Sequence, residues 1–285
     1  MQIITLTTDM GLKDHYVASL KGTIFSALPA VQIVDITHYV KPFNVGEAAY
    51  HLNSCYKNFP DGTIHVIGVD SEPVINFGTD GGSFPAILKY NNQYFISNDN
   101  GFFGVFLVEK TGFEFFRIDN VLSNQNLYIF PTKNILVKTA LELAKGTKIE
   151  DLASEHENYK RALHSVAISE TNLIKGHIIH IDDYGNLITN VSRELFERSG
   201  KDVPFVIYFK SKEYFVDIIS NSFNEVPEGE KLAMFNENDL LMIAINRAAN
   251  RATGGAEKLF GLHINDIVRI EFTPQGSRET LDSLF

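Results

Sequence analysis

The strongest constraint on the fold is the alternation of β-branched runs with amphipathic segments over the first 70 residues. Short runs rich in Ile, Val and Thr predict strands at residues 3–8, 32–37 and 63–69. Asp14 is a candidate N-cap for a helix that ends before Pro29, and Asn44 is a candidate N-cap for a helix that ends before Pro60. The order β-α-β-α-β predicts three parallel strands joined by right-handed crossovers.

The character of the sequence changes near residue 165. Before that point, a hairpin around Asn91-Asn92 and helices at 101–110 and 134–145 extend the α/β pattern. After it, strand-like runs dominate, at 173–182, 187–191, 204–210, 213–219 and 266–272, with short helical pieces at 192–199 and 247–253. We therefore predict an α/β protein with two domains: an α/β domain with a mostly parallel sheet at 1–165, and a mainly β domain at 166–285.

The composition narrows the classes of function. A formal net charge of −10 disfavours a nucleic-acid surface, because such surfaces are basic. No apolar run approaches the roughly 18 residues of a membrane helix, and the N-terminal "MQIITLTTD" lacks the basic region of a signal peptide. We expect a cytoplasmic protein with neither a nucleic-acid nor a membrane partner. The sequence contains no dinucleotide-binding, P-loop or GxSxG motif, and the one cysteine, Cys55, is predicted to lie mid-helix.

Polar side chains follow each of the three predicted parallel strands. Asp9 follows the first strand, His38 closes the second, and Asp70 follows the third. The carboxyl ends of parallel strands meet at one edge of the sheet, where open α/β sheets bind their ligands. Each residue alone is also typical of a turn or a cap, but three strands that end alike favour a ligand-binding edge. A further polar turn, "NDNG" at 98–101, follows a strand of the predicted hairpin.

The segment "HIIHIDDYGNLITN" at 177–190 concentrates polar residues around one glycine. Its β-branched surroundings predict a strand, in which His177 and His180 point to opposite faces and cannot share a metal ion. We therefore predict no metal site. The tetrapeptide at 183–186 has the composition of a tight turn. A turn and the wall of a pocket for a polar ligand are both compatible with this segment.

Five ordered segments carry a resemblance to a known family. They are "TLTTDMGLKDHYVASLKG", "IVDITHYVKPFNVGEAAYHL", "FPDGTIHVIGVD", "NDNG" and "IDDYGNLITN". Together they resemble the S-adenosylmethionine (SAM) hydroxide adenosyltransferase family, which also contains the SAM-dependent chlorinases and fluorinases. The resemblance covers most of the chain and implies an N-terminal α/β domain and a C-terminal β-barrel-like domain. It also implies a homotrimer, with SAM bound between domains of neighbouring subunits, and no cofactor beyond SAM as substrate or ligand.

The resemblance assigns the ribose side of the ligand to the first two segments. The resemblance implies that the Asp of "TTD", here Asp9, binds the ribose hydroxyls. One carboxylate can accept hydrogen bonds from both hydroxyls. The ring of Phe43 packs on the ligand. Asp14, which lies within the first segment, is included among the predicted ligand-binding residues.

The methionine and adenine parts are assigned to the second domain. Asp182 and Asn186 of the "IDDYGN" turn hold the methionine part, with Asp183 as an alternative register for Asp182. Tyr184 occupies the aromatic position near adenine. Asn246 belongs to a segment, "AINRAA", whose backbone resembles the part of the family that meets the adenine edge.

The sequence departs from the family at the residues that carry out the reaction. Hydrolytic members carry an Asp-Arg-His set that prepares water or hydroxide. Here Asp70 is kept, but Phe77 stands at the Arg position and Pro131 at the His position. Proline can neither donate a hydrogen bond from its ring nitrogen nor titrate. The candidate catalytic residues are therefore Asp70, Thr132 for its hydroxyl, and Lys133 as a replacement cation if it points inward.

Two functions of different class follow from this pattern. The first is an enzyme that hydrolyses SAM to adenosine and L-methionine by displacement at the ribose C5′. The second is a non-catalytic or repurposed binder of SAM or adenosine, which keeps the ligand-gripping residues without the chemistry. A SAM-dependent halogenase is less favoured, because Asp70 would repel a halide ion.

Overall fold

The chain divides into two units, Met1–His164 and Ser165–Phe285. The computed structural model describes residues 2–74, 82–118, 125–161, 166–248 and 254–273. The first unit is built of helices and a mostly parallel sheet, and the second is an antiparallel, barrel-like sheet. The predicted fold class is therefore confirmed. No helix within the described residues is long and apolar enough to span a membrane.

A seven-stranded sheet forms the centre of the first unit. Its strands are β1 (Ile3–Thr8), β2 (Gln32–Thr37), β3 (Ile64–Gly68), β4 (Pro85–Tyr90), β5 (Gln93–Asn98), β6 (Glu114–Arg117) and β7 (Ser154–Glu155). Their order is β2-β1-β3-β5-β4-β6-β7. β2, β1, β3 and β5 pair parallel with one another, whereas β4 pairs antiparallel with both β5 and β6. The three predicted parallel strands and the predicted hairpin are confirmed.

Helices cover both faces of this sheet. They are α1 (Tyr16–Ala27), α2 (Val45–Asn53), α3 (Phe102–Phe106) and α4 (Lys138–Ala144), the last continuing a π-helical segment at Thr132–Val137. Leu20 and Ile24 of α1 pack with the π-helical segment and α4 on one face. Leu52 of α2 and Phe106 of α3 pack together on the other face. Because both faces are covered, β3 is buried along its whole length, as is typical of a central parallel strand.

The predicted N-cap of the first helix is wrong. α1 begins at Tyr16, its N-cap residue is His15 rather than Asp14, and within the described residues the His15 side chain makes no capping hydrogen bond. His15 already has helical backbone angles, φ −75° and ψ −7°, so the chain enters the helix without the extended residue that a side-chain cap requires. The Asn44 cap is confirmed, since its side chain accepts a hydrogen bond from the Glu47 N–H.

Two further helix predictions in this unit need correction. The helix predicted over 101–110 contains only Phe102–Phe106, because Glu109 has a left-handed φ of 60° that a helix cannot accommodate. Cys55 does not lie mid-helix, since α2 ends at Asn53. The helix predicted at 134–145 is present, but it begins two residues earlier, as the π-helical segment.

The second unit is a single antiparallel sheet that almost closes on itself. Its strands are β8 (Ile168–Glu170), β9 (Leu173–Ile181), β10 (Leu187–Ser192), β11 (Phe205–Phe209), β12 (Ser211–Val216), β13 (Lys231–Phe235), β14 (Leu240–Ile245) and β15 (Ile267–Phe272). The order is β12-β11-β15-β9-β10-β14-β13, with β8 paired to β9. A bridge between Ile219, just beyond β12, and Ala233 in β13 draws the two edge strands together. The short helices are α5 (Arg193–Gly200) and α6 (Ala256–Phe260).

Most predicted strands of the second unit are present, with shifted ends. The strand predicted at 213–219 is β12, which begins at Ser211 because Lys210 alone makes the turn from β11, with a φ of 74°. β13 and β14 were not predicted. The short helix predicted at 247–253 falls largely on residues 249–253, which lie outside the described residues.

Candidate functional site

The carboxyl edge of the parallel strands gathers the polar residues predicted for it. Asp9 directly follows β1, and Asp70 lies two residues beyond β3. His38 directly follows β2, and its ring Nδ1 lies 2.8 Å from the Thr8 hydroxyl at the end of β1. Since β1 is parallel to both β2 and β3, the three strands end on one side of the sheet. The predicted polar edge is therefore confirmed as a geometric feature of the first unit.

Asp9 and Phe43, both predicted to bind the ligand, are hydrogen-bonded to each other. The Phe43 N–H donates to Asp9 Oδ2 over 3.0 Å. Phe43 has a left-handed φ of 66°, and its side chain is 71% exposed. A bulky residue in this region of backbone space is a strained outlier, and such strain is concentrated at functional sites. An exposed aromatic ring held in this way is suited to pack on a planar ligand.

A chain of polar contacts supports the loop that carries Asp9. The buried His38 ring contacts Thr8 on one side and Asp35 on the other, with 3.0 Å between His38 Nε2 and Asp35 Oδ1. Asp35 also pairs with Lys21 of α1 over 2.5 Å. The His38 carbonyl accepts a hydrogen bond from the Gly11 N–H over 2.7 Å. His38 thus holds the Asp9 loop through both its ring and its backbone.

The Asp70 carboxyl lies in an acidic environment. Burial raises its pKa above the ordinary value, and the nearby charges of Asp9 and Glu72 raise it further, while the charge of Lys160 opposes them. Asp70 also has a left-handed φ of 47°. A carboxylate with a raised pKa is a stronger base than an ordinary aspartate. It is also better suited to general base catalysis, because the ideal general base has a pKa near the working pH.

The "NDNG" turn anchors the Asp70 loop, a role that the sequence interpretation did not foresee. The Asn100 side-chain amide donates to the carbonyls of Val69 and Asp70 over 3.0 and 2.8 Å. The Asn98 side-chain amide donates to the Glu72 carbonyl over 2.9 Å. The position of this motif in the sequence could have predicted the role, because β5 runs parallel to β3 and must end at the same edge of the sheet.

Thr132 lies against the same loop, as its predicted role requires. It is fully buried, and its hydroxyl lies 2.8 Å from the Ser71 hydroxyl. The end of β3 can approach it closely only because residue 68 is glycine: a Cβ there would lie 2.4 Å from Thr132 Cγ2. Pro131 precedes the π-helical segment as its N-cap residue and makes no side-chain capping bond.

The structure does not bring Lys133 to Asp70. Its ammonium lies 3.4 Å from the Ser19 hydroxyl of α1 and 5.2 Å from the centre of the Phe130 ring. Lys133 is also not among the charged residues that shift the pKa of the Asp70 carboxyl. Phe77, at the position of the family arginine, lies outside the described residues. Asp14 is exposed on the segment that leads into α1.

In the second unit, the 182–186 segment is a turn built around Asp182. Asp182 Oδ1 accepts hydrogen bonds from the Tyr184 and Asn186 N–H groups, each over 2.9 Å. Asp182 Oδ2 accepts from the Asn186 side-chain amide over 2.8 Å. Gly185 has the positive φ, 78°, expected for the turn. Because a carboxylate oxygen offers about two acceptor positions, Asp182 Oδ2 retains capacity for one further donor. Asp183 is exposed and makes no comparable bond among the described residues.

Two residues that the sequence interpretation missed hold this turn in place. The Glu257 N–H donates to the Gly185 carbonyl over 3.0 Å. Gly255 packs so closely that a Cβ there would lie 2.2 Å from the Tyr184 carbonyl oxygen. The two consecutive glycines at 254–255 are the sequence feature that could have predicted this close approach. Tyr184 itself is 64% exposed and presents its ring outward.

Asn246 lies at the same end of the barrel-like sheet as the turn. β14 pairs antiparallel with β10, so the residues just after β14 are next to those just before β10. The buried Asn246 amide donates to the Val226 carbonyl over 2.8 Å, and its backbone bonds to Gly229 and Glu230. Asn246 therefore joins the 226–230 loop to the end of β14. His177 and His180 alternate in burial along β9, as predicted for opposite faces.

The comparisons with known proteins agree with this arrangement. An α/β unit with an acidic sheet edge precedes a barrel-like unit with an aspartate-centred turn. Residues 4–153 match the SAM hydroxide adenosyltransferase N-terminal domain, and residues 176–269 match the SAM hydroxide adenosyltransferase C-terminal domain. The chain belongs to the SAM hydroxide adenosyltransferase family, as its motifs predicted.

Named relatives include both hydrolases and halogenases. An (R)-S-adenosyl-L-methionine hydrolase of Methanocaldococcus jannaschii is 29% identical over 206 residues, which cover 68% of each chain. A hydrolase of the same name from Thermus thermophilus is 24% identical over 90% of this chain and 97% of that protein. A fluorinase of Actinoplanes sp. is 25% identical over 70% of this chain and 74% of that protein. A solved structure of an uncharacterized conserved protein from Thermotoga maritima has a TM-score of 0.77 at 27% identity and covers 95% of this chain and 99% of that chain.

Proposed function

We propose that this protein hydrolyses SAM to adenosine and L-methionine. A water oxygen attacks the ribose C5′ on the side opposite the sulfonium. The C5′–S bond breaks, and its electron pair moves to sulfur, which leaves as the neutral thioether of methionine. The water loses one proton, first to Asp70 and then to solvent. Because the sulfonium is a good leaving group, alignment of the reactants supplies much of the rate.

The observation that carries the proposal is the placement of two carboxylates, those of Asp9 and Asp70, at the same edge of the sheet. Asp9, bonded to the Phe43 amide, is proposed to hold the ribose, and Asp70 is proposed to accept the proton from the attacking water. Burial raises the pKa of Asp70, and the charge of Asp9 raises it further, which brings Asp70 closer to the range of an effective base. The names of the relatives support the same reaction, because two of them are called (R)-S-adenosyl-L-methionine hydrolase.

We propose supporting roles for the remaining predicted residues. The Thr132 hydroxyl, bonded to Ser71, orients the water beside Asp70. In the second unit, Asp182 Oδ2 accepts a hydrogen bond from the methionine ammonium, and Asn186 fixes Asp182. Tyr184 packs near adenine. Lys133 has the weakest support, because its ammonium contacts α1.

The assembly and location are also proposals. The family resemblance implies a homotrimer with SAM at the subunit interface, and the exposed rings of Phe43 and Tyr184 fit a site that a neighbouring subunit completes. Light scattering coupled to gel filtration tests this directly: a mass near three times 32.0 kDa supports the trimer, and a monomeric mass contradicts it. Cytoplasmic location remains a prediction from the sequence.

A second candidate is a protein that binds SAM or adenosine without turnover. One observation favours it. Pro131, at the N-cap of the π-helical segment next to Thr132, places no titratable group there. Loss of one general acid or base typically costs about 10²–10⁴-fold in rate, so slow turnover and no turnover are both compatible with this substitution.

The experiment that tests the reaction is incubation of the purified protein with SAM in water enriched in ¹⁸O. Displacement at C5′ places one ¹⁸O atom in the 5′-hydroxyl of adenosine and none in methionine, as mass spectrometry detects. Adenosine without the label would contradict attack by water at C5′. SAM that stays bound and intact would support the non-catalytic candidate.

A further inference from the structure

The Thr132 side chain, whose hydroxyl is proposed to orient the attacking water, is closed off from solvent. Thr132 is fully buried. A Cβ on Gly68 would lie 2.4 Å from Thr132 Cγ2 and 2.8 Å from the Thr132 hydroxyl oxygen, so the end of β3 covers one side of the threonine. The Ser71 hydroxyl covers another side, 2.8 Å from the Thr132 hydroxyl. Contact between Thr132 and a water molecule at the sheet edge therefore has to pass through Ser71.

The hydrogen bond between the two hydroxyls has a preferred direction. Among the described residues, the Ser71 hydroxyl is the hydrogen-bond partner of the Thr132 hydroxyl. A buried hydroxyl hydrogen that finds no acceptor is costly, so Thr132 donates and Ser71 accepts. A serine hydroxyl has one hydrogen and two acceptor positions. Ser71 therefore keeps its own hydrogen and one acceptor position for another molecule.

Ser71 lies where this hydrogen can be used. Unlike the fully buried Thr132, Ser71 is partly exposed. It directly follows the exposed Asp70, and the Cα atoms of consecutive residues are about 3.8 Å apart. The Ser71 hydroxyl and the Asp70 carboxyl are thus close enough to contact one water molecule between them.

The backbone is fixed on both sides of Ser71. The Asn100 side-chain amide donates to the Asp70 carbonyl over 2.8 Å. The Asn98 side-chain amide donates to the Glu72 carbonyl over 2.9 Å. Ser71 is therefore held through the residue before it, through the residue after it, and through its own hydroxyl. Support of this kind is what a catalytic side chain needs, because its position must be accurate to within about 0.5 Å.

We propose that Ser71 is a catalytic residue whose hydroxyl donates a hydrogen bond to the oxygen of the attacking water. With one lone pair of that oxygen fixed by Ser71 and one of its protons facing Asp70, the other lone pair can face C5′. Ser71 keeps its own proton, and Thr132 is a positioning residue that acts through Ser71. This inference rests on the proposed hydrolysis. The alternative is that Ser71 only satisfies the buried Thr132 hydroxyl.

A binding measurement that does not depend on turnover tests the proposal. The oxygen of the attacking water becomes the 5′-hydroxyl oxygen of adenosine, so Ser71 should bond to that hydroxyl as well. Isothermal titration calorimetry compares adenosine with 5′-deoxyadenosine, which lacks it. The wild type should bind adenosine about tenfold or more tightly, and Ser71→Ala should reduce this preference about 3- to 10-fold. Ser71→Thr keeps the hydroxyl and should retain the preference.

A double variant separates the contact from an effect on folding. Ser71→Ala leaves the Thr132 hydroxyl buried without its partner, whereas Ser71→Ala combined with Thr132→Val removes both groups, which can be nearly neutral for stability. The double variant should show the same reduced preference as Ser71→Ala. A wild-type preference in the folded double variant would overturn the proposal. So would a preference that Thr132→Val loses and Ser71→Ala keeps, because the contact would then belong to Thr132.

Ser169→Ala is the matched control. The Ser169 hydroxyl also lies against a second hydroxyl, that of Ser199, at 2.9 Å, but in the second unit. This substitution removes the same kind of hydrogen bond and should leave the preference for adenosine at its wild-type value. A reduction in Ser169→Ala equal to that in Ser71→Ala would show a general effect of losing a hydroxyl pair, and would overturn the role of Ser71.

Turnover of SAM by the same variants separates this proposal from the proposed hydrolysis. If SAM is hydrolysed, kcat should fall about tenfold or more in Ser71→Ala with KM nearly unchanged, and adding Thr132→Val should cost nothing further. Hydrolysis by a wild type whose nucleoside preference survives in Ser71→Ala would overturn the role of Ser71 alone. A preference that depends on Ser71 in a protein without turnover would contradict the hydrolysis and keep the 5′-hydroxyl contact. A wild type that binds neither nucleoside would overturn both.

Discussion

The Phe43 N–H donates a hydrogen bond to the Asp9 carboxylate over 3.0 Å, and this contact joins the end of β1 to the loop before α2. It uses one of the acceptor positions on Asp9 Oδ2 and leaves the other oxygen available. It also holds the exposed Phe43 ring on a strained, left-handed backbone. One carboxylate thus fixes the aromatic wall of the proposed site while it remains able to accept the ribose hydroxyls.

Asp9→Asn should weaken SAM binding about 10- to 100-fold. The substitution replaces one acceptor oxygen with an amino group and removes the charge, and hydrogen bonds to charged groups contribute roughly 1.5–3 kcal/mol. Isothermal titration calorimetry with SAM measures the change. Asp61→Asn is the matched control, because Asp61 is exposed and, among the residues that the structure describes, bonds only to Asn92. Equal affinities for Asp9→Asn and the wild type would exclude Asp9 from the binding site.

Thr132→Val should lower kcat about tenfold or more and leave KM nearly unchanged. Valine fills the same space against Gly68 but removes the hydroxyl that bonds to Ser71. Thr132→Ser keeps the hydroxyl and should retain most of the turnover, at a stability cost of about 1 kcal/mol for the lost methyl group. Steady-state kinetics of the two variants distinguishes these effects. If valine is tolerated and serine is not, Thr132 matters for packing and not for its hydroxyl.

Gly255→Ala should weaken SAM binding by about tenfold or more and destabilise the second unit by about 1–3 kcal/mol. The added methyl group would lie 2.2 Å from the Tyr184 carbonyl oxygen, so the turn that carries Asp182 must shift. Gly22→Ala is the control, because no atom of the described residues lies within 4 Å of a Cβ there. Because Gly22 is inside α1, alanine should instead stabilise the protein by about 0.5–1 kcal/mol. Unchanged SAM affinity in a folded Gly255→Ala protein would remove the turn from the proposed site.

Acidification should destabilise the first unit through His65. Burial lowers the pKa of His65 from 6.5 to about 4. Gln93 donates to the Tyr56 and Phe59 carbonyls, so its oxygen faces His65 Nε2 and accepts from it. Because the unfolded chain takes up this proton more readily than the folded chain, stability falls between about pH 6.5 and pH 4, by up to roughly 3 kcal/mol.

Denaturant unfolding at pH 7 and pH 4.5 measures this loss. His65→Gln cannot take up the proton and should show a shallower dependence of stability on pH, although it is less stable at pH 7. Part of the dependence should persist, because burial also lowers the pKa of His51. An identical pH dependence in His65→Gln and the wild type would assign the acid sensitivity to other groups.

The sequence predicted the parallel sheet and its polar edge because both follow from local patterns. Short β-branched runs that end in Asp9, His38 and Asp70 are visible in one dimension, and parallel pairing then brings their ends together. The turn around Gly185 could also be predicted from the sequence, because Asp, Asn and Gly are typical turn residues.

The contacts that hold the site together could not be predicted from local sequence patterns. Gly255 and Tyr184 are 71 residues apart in sequence, and nothing local indicates that one must lie against the other. Asp14 illustrates the opposite failure: it has the right chemistry for an N-cap, but the helical backbone angles of His15 start α1 without a side-chain cap. Lys133 was proposed as a replacement for the missing cation on condition that it points inward. The direction of one side chain cannot be predicted from local sequence, and the Lys133 ammonium lies beside the Ser19 hydroxyl of α1 instead.

The proposed role of Asp70 as the proton acceptor is tested by comparing the wild type with Asp70→Asn. Purified protein is incubated with SAM, adenosine and methionine are quantified by chromatography, and SAM affinity is measured in parallel by calorimetry. We expect equal amounts of adenosine and methionine from the wild type. In Asp70→Asn we expect a loss of turnover of at least about 10²-fold, with SAM affinity retained within a few-fold. Turnover that is unchanged in Asp70→Asn would refute the role of Asp70 in the hydrolysis.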